Sequence, residues 1–124
     1  MSEKLDVNIL CQGGGFWYLA TPYSKHPGGI GVAFRDACEA AGHLIRLGVP
    51  VFCPIAHTHP IALACGIDPY DHGIWLPADL PFMESAKGLI VAKIVSWESS
   101  YGVREEIKFF ANRNKPIHYM EWPN

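Results

Sequence analysis

The run Gly88-Leu89-Ile90-Val91-Ala92 is an unbroken apolar strand signal. The segment Ser100-Tyr101-Gly102-Val103-Arg104-Glu105-Glu106-Ile107 follows it and opens an amphipathic helix. An apolar run without alternation belongs to a strand covered on both faces, the usual condition of a parallel sheet. Strand, loop and helix in that order restrict the chain to α/β architectures. Residues just after such a turn lie outside the carboxyl ends of the strands, where α/β sheets bind ligands.

The rest of the chain repeats the alternation. Residues 16–20 read as an aromatic-rich first strand, with Phe16, Tyr18 and Ala20 facing one way and Trp17 and Leu19 the other. Residues 31–47 read as a long helix carrying Ala33, Cys38, Ala41, Leu44 and Ile45 on one stripe, stopped by Gly48. Residues 50–53 read as a second strand, 77–85 as a proline-bearing helix, 89–94 as the third strand, 103–114 as the last main helix and 116–119 as the last strand. Residues 54–75 carry few helix or strand signals and read as a long functional loop. This order predicts a Rossmann- or flavodoxin-like three-layer sandwich around a small parallel sheet with right-handed crossovers. The 124 residues make one domain, 16–124, behind a flexible N-terminal arm, 1–15, that ends in Gly13-Gly14-Gly15.

A net charge of −2 without a basic stripe argues against a nucleic-acid polymer as partner. No apolar run approaches the roughly 20 residues that cross a bilayer. Residues 1–8 lack the apolar core of a signal peptide. Cys11, Cys38, Cys53 and Cys65 are scattered and form no C-x-x-C pair, which fits reduced thiols in a cytoplasmic protein.

Glu106 is the leading candidate for chemistry. It shares a helix face with Val103, Ile107 and Phe110, whereas Glu105 points away to solvent. A carboxylate on an apolar face must find a partner, take a proton or face a cavity. The competing reading is a first-turn glutamate stabilised by the helix dipole. Asp79 shares a face with Leu76, Leu80 and Met83, or else caps a helix that begins at Leu80. Tyr18, at the end of the first strand, either holds a carboxylate or sugar hydroxyl or only packs. Residues 25–31 suit an anion at a helix start, but Phe34 occupies the third small position of a dinucleotide fingerprint. His57, His59 and His72, with Asp68 and Asp71, form a metal hypothesis whose spacing is not diagnostic.

Several of these residues form a recognisable series. Tyr18-Leu19-Ala20-Thr21-Pro22-Tyr23-Ser24 is similar to a Tyr-x-Ala-x-Pro opening motif, and residues 54–60 follow strand two. Asp79 precedes strand three, and Ser100-x-Gly102-Val103-x-x-Glu106 follows it. Over residues 16–119 the chain resembles the nucleoside 2-deoxyribosyltransferase superfamily, including its nucleotide N-glycosidase members. The resemblance implies a flavodoxin-like fold and cleavage or transfer at the N-glycosidic bond of a nucleoside or nucleotide, with no cofactor and no metal. It casts Glu106 as the nucleophile, Asp79 as the residue handling the proton of the departing base, and Tyr18 as the group positioning Glu106. It gives Ser100, Gly102, Ala20, Pro22, His57 and His59 to substrate binding, Ser100 at the sugar 5′ end. It also implies a homo-oligomer, a dimer or larger, and the chain's four tryptophans and five tyrosines supply aromatic surface for interfaces.

Lys87 stands where that family commonly carries an acidic residue, and Trp97-Glu98-Ser99 is bulkier than its pattern. These departures define an alternative, a nucleotide-binding module without catalysis. A metal-dependent hydrolase using the region of His57, His59 and His72 is a third reading.

Overall fold

Four short strands pair in parallel in the order β2–β1–β3–β4. They are β1 (Trp17–Ala20), β2 (Val51–Phe52), β3 (Gly88–Lys93) and β4 (Ile117–Glu121). The computed structural model describes residues 5–123. Among the described residues α1 (Val7–Cys11) precedes β1, and α2 (Ile30–Arg46), α3 (Pro54–Cys65), α4 (His72–Ser85) and α5 (Tyr101–Asn112) join the strands. From β1 the chain steps outward to β2, then returns past β1 to β3. The strand order therefore reverses between β1 and β3, and a crevice opens at their carboxyl ends. The result is a Rossmann- or flavodoxin-like sandwich, as the element order predicts.

Period-two alternation divides the strand residues between two cores. Trp17, Leu19, Ile90 and Ala92 pack with Ala37, Ala40, Ala41 and Leu44 of α2. Tyr18, Ala20, Leu89 and Val91 pack with Met83 of α4 and with Val103 and Phe110 of α5. The alanines of α2 let that helix approach the sheet closely. The helix starts after Gly29 and ends before Gly48, whose φ of 84° is a left-handed conformation that glycine adopts without strain. No helix among the described residues is long and apolar enough to cross a membrane. All four cysteines are free thiols, and Cys53 is the buried one.

Two stretches differ from the sequence reading. Within the arm, Val7–Cys11 is a turn of helix capped by Asp6, whose Oδ1 accepts from Asn8 N at 3.1 Å. Leu10 from this turn enters the first core, and its carbonyl accepts from Trp17 Nε1 at 2.8 Å. One turn is too short to show a period; burial of Leu10 and the Trp17 bond hold it in place. Residues 1–4 of the arm lie outside the described residues.

The second stretch is the expected loop 54–75, which contains α3 and the start of α4. Pro54 occupies the first turn of α3, where a missing N–H costs nothing. Pro60 lies inside α3, and Pro77 and Pro81 lie inside α4, which has no amphipathic stripe. Interior prolines remove helix hydrogen bonds, so a sequence reading stops at them. Here the flanking turns carry the helices through.

Gly88 is needed at the amino end of β3. A Cβ there would lie 2.6 Å from Pro116 O and closer still to the Trp17 ring. A backbone carbonyl of the neighbouring chain segment cannot yield as a flexible side chain can. Gly88→Ala is expected to cost about 3 kcal/mol or to prevent folding, read as a fall in Tm or a loss of soluble protein. A melting curve superimposable on wild type would contradict this packing.

Candidate active site

A cleft lies at the carboxyl ends of β1 and β3. Thr21, Tyr23 and Ser24 after β1 form one lip, and Pro54, Ile55, Thr58 and His59 of α3 form a wall. His72, Trp75, Leu76, Asp79 and Met83 of α4 face them. Tyr18, Ser100, Gly102 and Glu106 line it as well.

The start of α5 explains the position of Glu106. Ser100 is the N-cap, its Oγ accepting from Val103 N at 3.3 Å, and it is buried. Val103 and Phe110 are fully buried against the sheet and Ile107 packs beside them. That register turns Glu106 into the cleft. Glu105 goes to the other side and pairs with Lys108 at 3.2 Å.

The acids of the cleft are strongly perturbed. Burial pushes the Glu106 carboxyl up to about 8; the Tyr18 hydroxyl opposes this, and the charge of Asp79 adds to it. Burial pushes Asp79 up to about 6. Glu106 is half-buried as a residue because it lines the cleft, while its carboxyl is deep in protein. Tyr18 is fully buried between the Phe52 and Phe110 rings, each centred 5.8 Å away. Its pKa is raised well beyond the ordinary phenol range by burial, then by the charges of Glu106 and Asp79. Tyr18 Oη acts on Glu106 electrostatically but stays short of full hydrogen-bond geometry, so it is a sealed polar atom without a partner. With Asp79 pushed up to about 6 and Glu106 to about 8, the two carboxyls lose their protons in separate steps on either side of neutrality.

Asp79 sits in the middle of α4, so it does not cap that helix. The cap is Asp71, whose Oδ1 accepts from Gly73 N at 3.0 Å. The cleft thus takes in five of the expected positions besides Asp79: Glu106, Tyr18, Ser100, Gly102 and His59.

Three other expected positions lie elsewhere. Ala20 is sealed in the second core and Pro22 is fully buried, while their neighbours Thr21 and Tyr23 line the cleft. His57 is exposed beside the rings of Phe52 and Phe82. His72 lies at the mouth near Tyr101. His57, His59 and His72 do not converge, and among the described residues no group of three or more His, Cys, Asp or Glu side chains is placed to hold a metal ion.

The departures from the family pattern also have places. Lys87 is at the amino end of β3, away from the cleft, where its Nζ donates to Gln12 O at 2.9 Å over the Trp17 ring. Trp97-Glu98-Ser99 is a 3₁₀ turn leading into α5, and Trp97 packs on Tyr119. The 25–31 turn is closed on itself rather than facing the cleft. Gly28 N donates to His26 Nδ1 at 3.0 Å, and His26 Nε2 meets Asp36 Oδ2 at 2.7 Å.

Sequence reasoning missed Tyr23, Thr58 and Trp75 as cleft residues. Tyr23 Oη bonds His59 Nδ1 at 2.6 Å. One usable signal was Pro54 directly after strand two, since proline at a first helical position would have started a helix there and put Thr58 one turn on.

A family model described as Domain of unknown function (DUF1937) matches residues 15–122, and the chain belongs to that family. No curated protein matches it.

Proposed function

We propose that this member of the DUF1937 family cleaves or exchanges the base of a nucleoside or nucleotide, with Glu106 as nucleophile. The observation that supports this most is the pairing of Glu106 and Asp79 in one cleft, both carboxyls pushed up by burial and the fully buried Tyr18 between the strands beneath them. Perturbed acids that share a cleft are the mark of functional sites. The motif resemblance supplies the bond they act on.

In this reading the reactive form is the minority one, with the pair's one proton on Asp79 rather than on the weaker acid Glu106; the Glu106 carboxylate then attacks the anomeric carbon and forms a glycosyl ester. The C–N bond breaks, its electron pair goes to the base, and Asp79 delivers its proton to the departing ring nitrogen. Asp79, now ionised, takes a proton from a water that attacks the same carbon, releasing sugar and restoring Glu106. A second base in place of water gives transfer. Tyr18 follows the charge on Glu106, closing its hydrogen bond as the carboxylate forms. The α5 amino end, capped by Ser100, favours negative charge at the sugar 5′ side.

The test is base release from a panel of nucleosides and 5′-monophosphates, followed by chromatography with reducing sugar measured alongside. Release with equal reducing sugar means hydrolysis; release that needs a second base means transfer. No release from any member, with nucleotide-dependent thermal stabilisation, would favour the binding module instead. Ligand at 100 times its Kd should then stabilise by roughly 2.7 kcal/mol.

We also assign self-association to the outer side of α4. Ile74 and Leu80 there are 46% and 39% exposed, close to the cleft-lining residues of the same helix. Wild type is expected to sediment as a dimer or larger and Leu80→Glu to move it toward monomer. A monomeric wild type would remove this assignment.

A further inference from the structure

His59 is a buried polar side chain of the cleft wall held by two rings and a hydrogen bond. It is 5% exposed, on the second turn of α3. Its ring stacks on Phe34 with centroids 4.6 Å apart and planes 24° apart, and it meets the Tyr23 ring edge-on at 5.6 Å. Tyr23 Oη lies 2.6 Å from Nδ1.

This contact fixes the tautomer. Burial pushes the His59 pKa down, so the ring carries one proton. Burial, then Tyr70, pushes Tyr23 up to about 12, so the phenol keeps its proton. Between a phenol and a neutral imidazole, the phenol is the better donor and the bare ring nitrogen the better acceptor. Tyr23 O–H therefore donates to Nδ1, and the ring proton is on Nε2. Among the described residues the sealed side-chain polar atoms without a partner are Tyr18 Oη and Ser96 Oγ. Nε2 of His59 is not among them and has no hydrogen-bond partner in the described residues, and His59 is a lining residue of the cleft.

We propose that His59 reads the base: its Nε2–H, oriented by Tyr23 and Phe34, selects a ligand that presents a hydrogen-bond acceptor at that point, so bases with a ring carbonyl are preferred to their amino counterparts. This rests on the nucleoside reading above and names the substrate class within it. A base carbonyl satisfies the donor. An exocyclic amino group meets it donor to donor and leaves both unpaired, which is costly inside a cleft.

The test uses two readouts. Nitrogen-15 spectra of the ligand-free protein report the His59 tautomer, which is expected to be Nε2–H in wild type and to lose that single form in Tyr23→Phe. Binding is measured by calorimetry on Glu106→Gln protein, which does not turn over, with deoxyinosine against deoxyadenosine and deoxyuridine against deoxycytidine. The member with a carbonyl in place of the exocyclic amino group, at C6 of the purine or C4 of the pyrimidine, is expected to bind about tenfold tighter or more, the size of one satisfied hydrogen bond. His59→Gln, whose amide turns to offer either end, is expected to bring the ratio close to one. An Nδ1–H tautomer, or equal affinity within both pairs, overturns the proposal. If no nucleoside binds although the tautomer is Nε2–H, the nucleoside reading fails, and the base assignment with it.

Discussion

Glu106→Gln is expected to abolish base release, by on the order of 10⁴-fold, and to leave a folded protein that melts higher than wild type. Glutamine is nearly isosteric and cannot attack the anomeric carbon. The stability gain follows from linkage. In the unfolded chain Glu106 releases its proton near 4.5; in the fold it holds it up to about 8. Between those values the folded state binds more protons than the unfolded one, so stability falls as pH rises. The contribution of protonated Glu106 is complete below about 4.5 and is lost as pH passes through about 8. Glutamine does not titrate. The gap in Tm in favour of the variant should therefore open above that lower value and be widest in alkaline buffer, on the order of 2 kcal/mol or several degrees. A site that needs a buried acid surrenders stability for it. Melting curves at pH 5, 7 and 9 check this; a gap that closes as pH rises would mean that Glu106 is not an elevated acid.

Asp79→Asn is expected to lower kcat/KM by roughly 10²- to 10⁴-fold and to change the pH profile as well as its height. In wild type the pair carries both protons below about 6 and none above about 8. Below the first limb no nucleophile is ionised. Above the second no acid remains to protonate the base. Activity should form a bell between the two limbs, peaking where one proton is shared. Removing the Asp79 charge lowers the Glu106 pKa, because that charge is one of the causes raising it. The variant should rise with pH through a single limb that lies below about 8 and then stay level. A nucleoside whose base departs without needing a proton, such as a purine nucleoside alkylated at N7, should lose much less rate in this variant. Equal losses on both substrates would remove Asp79 from proton delivery and leave it an electrostatic role.

The parts of this molecule that were legible in its sequence are those governed by short periods. β3 is a bare apolar run, β1 is apolar throughout, and α2 and α5 carry apolar stripes that end at Gly48 and begin at Ser100. Cys38 and Ile45, read onto the α2 stripe, are exposed, and Ala37 and Ala40 are buried in their stead. The same register argument separates Glu106 from Glu105, and the structure places the two on different sides. α3 and the first turn of α4 were hidden because their prolines interrupt the chain and neither helix has a stripe. With α4 shortened to 77–85, Asp79 could be read as a cap; the full helix puts it mid-way with its side chain on the cleft. With α3 unseen, His57 and His59 were one motif, whereas two helical positions apart they point to different surroundings, an aromatic surface and the cleft wall. Ala20 and Pro22 illustrate a different limit. A motif gives the stretch of chain at the site, but alternation decides which of its residues face the ligand, and here these are Thr21 and Tyr23.

The most direct test of Glu106 as nucleophile is the mass of the protein quenched in acid during turnover, with peptide mapping, for wild type and Glu106→Gln side by side. The account predicts that wild type gains the mass of one sugar residue on the peptide containing Glu106 and that Glu106→Gln gains none and releases no base. Base release that persists in Glu106→Gln, with no sugar on that peptide in wild type, would contradict it.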